Sequence, residues 1–367
     1  MFRQVMMAAA LVAMAAQPPR AAGPDLDAWR DAGHWKRIRA AVEPRYRANP
    51  KELDALYWMA RVKLAFGDVQ GAYDLAQRLV AANPKSADAQ YVLAETSGLL
   101  GRRAGLFKAF SYLREFKRAG SAALALDPRH RETLWLFASF YYNAPGIVGG
   151  DKTRASAAVR SLIAADPALG YAASAEMALQ EKDPARAERE LRKAVDAAPA
   201  SYSALERLAA FYVTQTPRRP EPALAPAARA VALDPERAGG YAQLASAHAL
   251  LDHWAEVDAT LARAAERVPD DPSPFYVVAR TLLAASRDPA RAERCLRTYL
   301  AQPAEGGAPD HASARWRLGL AIERQGRKAE ARAEFEAALR LRPDFDAARQ
   351  DLQRLSAEGK GSRHPTP

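Results

Sequence analysis

Cysteine is almost absent. The 367 residues hold one, Cys295, so no intramolecular disulfide can form and stability must come from packing. In "ARAERCLRTYL" it stands next to Leu296, a core position, and reads as a small packing residue. Ile and Thr are scarce while Ala, Arg, Leu and Glu are common, which favours helix over sheet. Catalytic signatures are missing as well: there is no G-x-S-x-G, no H-E-x-x-H and no C-x-x-C. Of the six histidines, His248 and His253 stand five apart, neither i+3 nor i+4, so a shared metal is not expected there. Neither an enzyme nor a cofactor is expected. Lys and Arg total 53 against 43 Asp and Glu, a net charge of +10. The signs are mixed and no nucleic-acid motif accompanies them, so nucleic acid is not an expected partner.

Long apolar runs are missing beyond the N-terminus. There, "MFRQVMMAAALVAMAAQPPRAAGP" has Arg3, an apolar run from Val5 to Ala16, the small-x-small pair Ala13 and Ala15, and then prolines. The run is about half the ~20 residues of a membrane span. It reads as a secretory signal with a short leader over residues 1–22, cleaved near Ala15, and predicts a periplasmic or secreted protein.

What is present is a ladder of prolines. Pro50, Pro84, Pro128, Pro167, Pro199, Pro235, Pro269, Pro303 and Pro343 follow one another at steps of 34, 44, 39, 32, 36, 34, 34 and 40 residues. Most close a helical pattern ("AANP", "ALDP", "AADP", "RLRP"), where proline stops one helix and starts the turn into the next. With each proline set as position 32, position 8 is Ala60, Ala94, Ala138, Ala175, Ala209, Ala245, Ala279 and Gly319. Position 20 is Ala72, Ala155, Ala187, Ala223, Ala292 and Ala331, allowing for loop insertions. Small residues at both places let two helices cross closely. Larger apolar residues such as Leu93, Phe137, Leu208, Leu318 and Phe335 form the packing layer.

The copy "ARWRLGLAIERQGRKAEARAEFEAALRLRPDF" resembles the tetratricopeptide repeat, with Leu318, Gly319, Gly326, Ala331, Phe335, Ala338 and Pro343 in the family's places. The resemblance covers residues 26–355: about eight repeats, a degenerate opening unit and a closing helix, "FDAARQDLQRLSAE". It implies an all-α, right-handed α-solenoid of stacked helix–turn–helix units. Residues 356–367 read as a disordered tail.

One loop looks like chemistry. "GIVGGDKT", from Gly146, is one letter from the phosphate-loop pattern G-x-x-x-x-G-K-[ST], with Asp151 in place of the second glycine. A phosphate loop needs a preceding strand, and here "RETLWLFASFYYN" has helical spacing; Asp151 would also repel phosphate. The stretch reads instead as a lengthened turn, with Asp151 capping the next helix. A-P-G-x-x-G-G-D-K resembles a loop in some exported bacterial tetratricopeptide proteins, including ones similar to the T-component associated with TRAP transporters. That likeness implies a rival role, an accessory subunit binding a small solute in a superhelical pore near Tyr142 and Asn143.

In this family the first helix of each unit lines a concave groove. The resemblance places Tyr57, Arg61, Tyr91, Glu95, Trp135, Tyr142, Asn143, Tyr276, Arg280 and Trp316 there, a set that suits a peptide or partner helix. The same rings also suit packing on neighbouring units. The family's lysine–asparagine clamp for a terminal carboxylate is missing. A second candidate surface is the oversized unit between Pro84 and Pro128, where the step of 44 predicts a longer second helix. Residues 101–132 carry eight Lys/Arg against three Asp/Glu. Arg102, Arg103, Lys108, Arg114, Lys117 and Arg118 form a basic ridge with Phe107, Phe110, Tyr112 and Phe116 among them. The ridge suits an acidic partner or an anionic surface, or a solvated face over a large local core. The resulting expectation is a scaffold for a protein or peptide of the cell envelope; the sequence leaves its oligomeric state open.

Overall fold

Helix-forming composition, caps and spaced prolines give a chain of antiparallel helix pairs. The computed structural model describes residues 24–361; residues 1–22, read from the sequence as a secretory signal and leader, lie outside them. Among the described residues there are nine helix pairs, a closing helix and no strand. The opening pair is α1 (Leu26–Ala32) with α2 (Trp35–Ala48). Then come α3 (Leu53–Ala65) with α4 (Val69–Ala82), α5 (Ala87–Arg103) with α6 (Leu106–Leu126), and α7 (Arg131–Asn143) with α8 (Lys152–Ala165). The middle pairs are α9 (Pro167–Gln180) with α10 (Pro184–Ala197), and α11 (Tyr202–Thr214) with α12 (Glu221–Leu233). The last are α13 (Ala238–Leu250) with α14 (Trp254–Arg267), α15 (Ser273–Ala284) with α16 (Pro289–Leu300), and α17 (His311–Glu323) with α18 (Lys328–Leu341). Helix α19 (Asp346–Gly361) closes the array and carries helix past the 355 boundary read from the sequence. No helix among the described residues is long and apolar enough to cross a membrane.

Local chemistry sets the boundaries. Each proline of the ladder falls two or three residues after the second helix of a pair. Short acceptors start many helices: Asp68 accepts from Gly71 N–H at 2.9 Å, Ser86 from Ala89 at 3.1 Å and Asp310 from Ser313 at 2.7 Å. The position-8 alanines are at most 2% exposed, and those at position 20 are fully buried. At Gly319 a Cβ would lie 2.5 Å from the Phe335 ring, so the crossing of α17 and α18 admits no side chain there. The longer second helix predicted from the step of 44 is present as α6, and the first helix α5 is lengthened with it. Helix α5 has 17 residues and α6 has 21, where α3 and α4 have 13 and 14. The extra turns project from the array as a hairpin.

The array also touches itself. The loop before α17 reaches back to the opening units, where Gly307 N–H donates to the Ala65 carbonyl at 2.9 Å. Glu305 Oε1 accepts from Lys36 N–H at 2.7 Å and from Gly306 N–H at 2.8 Å. Helix α2 has no side-chain cap of its own, so Glu305 caps it from 269 residues away. Arg37 grips Asp270 through two N–H groups at 2.9 and 3.0 Å. These contacts form a seam, in which units separated along the chain meet after the array has turned.

Candidate functional site

The long loop after α7 is built by its own hydrogen bonds. Pro145 and Gly146 leave the helix, Gly149 takes φ +102°, and Gly150 passes so close to the Ala144 carbonyl that a Cβ would sit 1.7 Å from its oxygen. Asp151 N–H donates to the Tyr141 carbonyl at 2.8 Å, and its carboxylate accepts from Thr153 and Arg154 N–H at 2.8 and 3.0 Å. Lys152 Nζ donates to the Tyr142 carbonyl at 2.6 Å and stands 3.1 Å from that ring's centroid. Lys117 Nζ donates to the Val148 carbonyl at 2.8 Å. The glycines and the lysine close a turn, and no backbone cradle is left for phosphate.

Between α5, the first half of α6, α7 and this loop lies a cleft of about 620 Å³. Its walls include Tyr91, Leu99, Leu113, Phe116, Trp135 and Phe140, with Glu95, Glu132 and Asn143 among the polar groups. It opens because the projecting part of α6 leans on α5 while α7 ends and the chain turns into the loop. Phe110 lines the cleft and is 52% exposed. Phe107, one turn earlier, is 92% exposed, and Ile147, next to the cleft-lining Val148, is 93% exposed. Exposed large apolar groups at one place mark a binding surface more often than scattered ones do.

The predicted groove residues divide into packed and accessible ones. Arg61 pairs with Glu95 at 2.5 Å and lies 5.3 Å from the Tyr91 ring centroid. Burial opposes the Arg61 charge, yet Glu95 and the neighbouring tyrosines hold its pKa above the usual value. Tyr91 is itself buried against His130, ring centroids 5.4 Å apart. Tyr57 is half-buried and packs edge-on to Trp58 at 5.2 Å. Trp135 is half-buried at the cleft, with Arg207 from two units on at 5.3 Å from its ring centroid. Asn143 is exposed, but its amide donates to the Ser139 carbonyl at 2.9 Å. Besides buried Tyr91 and the ion-paired Arg61, three more of the ten are not free groove contacts. Tyr142 is buried, its hydroxyl within hydrogen-bond distance of the Met177 carbonyl (3.1 Å) and Glu181 (3.0 Å). Tyr276 is 3% exposed and packs on Tyr299. The Trp316 indole N–H donates to Asp351 of α19 at 2.8 Å. Packing took these rings, because the same inner position that can meet a ligand also meets the next helix.

Sequence reading missed the arginines that overlie the rings. Arg317 stands 5.2 Å from the Tyr276 centroid and 4.8 Å from that of Trp316. Burial, then the like charge of half-buried Arg280, pushes its pKa down. At these places the inner wall presents guanidinium over aromatic, and an anionic ligand would relieve that crowding. A helical-wheel reading of position 6 would have found Arg207 and Arg317.

The basic ridge is partly real. Arg102, Arg103, Lys108, Arg114 and Arg118 are exposed, and Arg118 reaches Glu115 only at 3.8 Å. Lys117 is the correction: it is half-buried, tied to Val148 and 5.6 Å from the Phe140 ring centroid. The turn at Asp252 brings His248 and His253 together, Nδ1 to Nδ1 3.3 Å, which their spacing did not predict. Among the described residues no three His, Cys, Asp or Glu are grouped to hold a metal ion. Burial pushes the Cys295 thiol up to about 11, which suits a packing residue.

The geometry defines a class first: an α-solenoid of helix–turn–helix units with a concave inner wall. Two family models described as tetratricopeptide repeat match residues 54–86 and 279–346. The chain carries tetratricopeptide repeats at these two stretches, one in the opening half of the array and one in the closing half. Yeast Tom70 shares the fold, with 14% identity over 91% of this chain and 80% of that one, TM-score 0.52. A thermophilic tetratricopeptide protein of Thermus thermophilus aligns at 24% identity over 50% of this chain and 94% of its own, TM-score 0.44. The type IV pilus biogenesis factor PilW aligns at 19% identity over 60% and 98%, TM-score 0.43. No curated protein matches by sequence. The expected likeness to TRAP T-component proteins finds no support in these matches. Its predicted pore is not formed at Tyr142, which is packed away, and Asn143 stands at a cleft open on one side.

Proposed function

We propose that this protein is an exported scaffold, not an enzyme, that binds a protein or peptide partner of the cell envelope through its inner wall. Tetratricopeptide repeats serve generally as scaffolds for protein interactions, and the signal-like N-terminus supports export. The observation that carries the reading is the largely apolar cleft beside the lengthened hairpin, with Arg207 of a later unit over its Trp135 wall. Stacked units hold these groups in fixed positions, so little ordering entropy is lost when a partner docks.

The test is cross-linking in cells followed by pull-down, with wild type beside an Arg207→Glu/Arg280→Glu variant of the inner wall. A discrete envelope protein captured by wild type and lost in the variant is the expected result. If neither captures protein, the scaffold reading falls. N-terminal sequencing of the mature protein tests export separately: a start shortly after Ala15 is expected, and a chain retaining Met1 in the cytoplasm sinks that part.

A further inference from the structure

We infer that the cleft between α5, the first half of α6, and α7 seats an amphipathic helix of the partner with an apolar stripe and an acidic flank. The inference rests on the scaffold reading and adds what the scaffold grips. Three observations point to this occupant. The cleft walls are apolar side chains from three helices, and helix backbones satisfy their own hydrogen bonds. An extended peptide laid along the apolar walls would bury N–H and C=O groups with few side chains to pair them, whereas a helix arrives with its backbone already paired. Phe110 of α6 and Val148 of the loop both line the cleft, and beside them in the chain Phe107, one turn before Phe110, and Ile147, next to Val148, stand exposed. A helix laid there would cover rings that water now surrounds.

Charge sets the flank. Arg102, Arg103 and Lys108 stand exposed on the hairpin tip, and Arg114 follows two turns along α6. The two carboxylates within the cleft are already engaged, Glu95 by Arg61 and Glu132 by Arg131 at 3.0 Å. The field over the opening is therefore positive, and it steers and holds carboxylates on the partner. A flat anionic membrane would meet the convex tip but would leave the cleft behind it empty. The concavity thus favours a protein segment.

The probe is a labelled helical peptide with leucine at i, i+3, i+4 and i+7 and glutamate on its flanks, titrated into the full chain and followed by fluorescence anisotropy. The control peptide keeps the leucines and carries lysine flanks. The acidic peptide should bind at least about tenfold tighter than the basic one. Phe110→Asp, an exposed change that spares the core, should weaken it by about tenfold or more. Arg102→Glu/Arg103→Glu/Lys108→Glu should reverse the preference toward the basic peptide. Equal affinity for both peptides, or binding indifferent to Phe110→Asp, overturns the proposal. Vesicles of phosphatidylglycerol and phosphatidylcholine form the other arm: Phe110-dependent binding to the anionic vesicles with no peptide binding assigns the tip to membrane and overturns it too. The two readings fail separately. If the captured cellular partner survives Phe110→Asp but is lost with the Arg207/Arg280 variant, the scaffold stands and the cleft proposal falls.

Discussion

Lys152 shows how far a residue's neighbours decide its role. In sequence it occupies the lysine place of a phosphate loop; in the fold its ammonium holds the last turn of α7 by the Tyr142 carbonyl and ring. Lys152→Met keeps most of the stem and removes the charge, so it should cost about 1.5 kcal/mol, the low end for a hydrogen bond from a charged group because Lys152 is exposed. A thermal melt checks this, and magnesium–ATP should move the melting point of neither protein. A nucleotide-dependent rise in wild type that vanishes in Lys152→Met would restore the phosphate-loop reading. The turn and the Asp151 cap were legible, because glycine, proline and an N-cap aspartate act locally. The Lys152–Tyr142 contact was not, since it depends on how α8 folds back over α7.

At the scale of elements, the repeat register was readable because its cause is periodic: small residues where helices cross and proline where pairs end. The hairpin of α5 and α6 departs from that register and separates folding from binding. Its root packs Phe116 on Phe137 and Phe140, centroids 5.5 and 4.7 Å apart, with Phe116 only 2% exposed. Its tip holds Phe107 in water. Phe116→Ala should therefore cost about 3–5 kcal/mol, whereas Phe107→Ser should stay within about 0.5 kcal/mol. Urea unfolding of both variants measures the contrast. A large loss for Phe107→Ser would mean that the tip is packed and not available to a partner. The groove rings were half legible for a related reason. Position in the repeat fixed which way they face, but the overlying arginines and the cap helix α19 decided which remain accessible.

The seam belongs to the whole molecule, and sequence carries little trace of it. Its partners are hundreds of residues apart, and their meeting depends on the pitch of the array. The long step from Pro303 to Pro343 and the paired Gly306 and Gly307 are the only local hints. The seam ties stability to pH through Glu305, whose buried Oε2 has no partner. Burial pushes this carboxyl from its ordinary 4.5 up to about 7. The folded state therefore holds the proton more tightly. Glu305's contribution is fully present below 4.5 and is lost as the pH rises through about 7. Asp271, raised by burial, has the same sign. His34 opposes both: burial and then Arg37 lower its pKa, so its contribution is present above 6.5 and lost as the pH falls through the depressed value. Asp270 is pushed up by burial, but the Arg37 hydrogen bond and charge together bring it below its ordinary value, so it weakens the seam only at acid pH. Lys36, Arg37 and Glu236 complete the charges at this junction. A raw pH curve mixes all of these, but a difference isolates one. Glu305→Gln keeps an acceptor for the Lys36 and Gly306 N–H groups and carries no charge, so its melting point minus that of wild type should rise by roughly a few degrees from pH 5 to 8. The same difference should be flat in a Gly306→Ala background, because that Cβ would lie 2.5 Å from Trp35 Cβ and force the seam apart, returning Glu305 to water. A slope that persists in the Gly306→Ala background would mean that Glu305 titrates without the seam, and that the contact between the opening units and the loop before α17 is not what buries it.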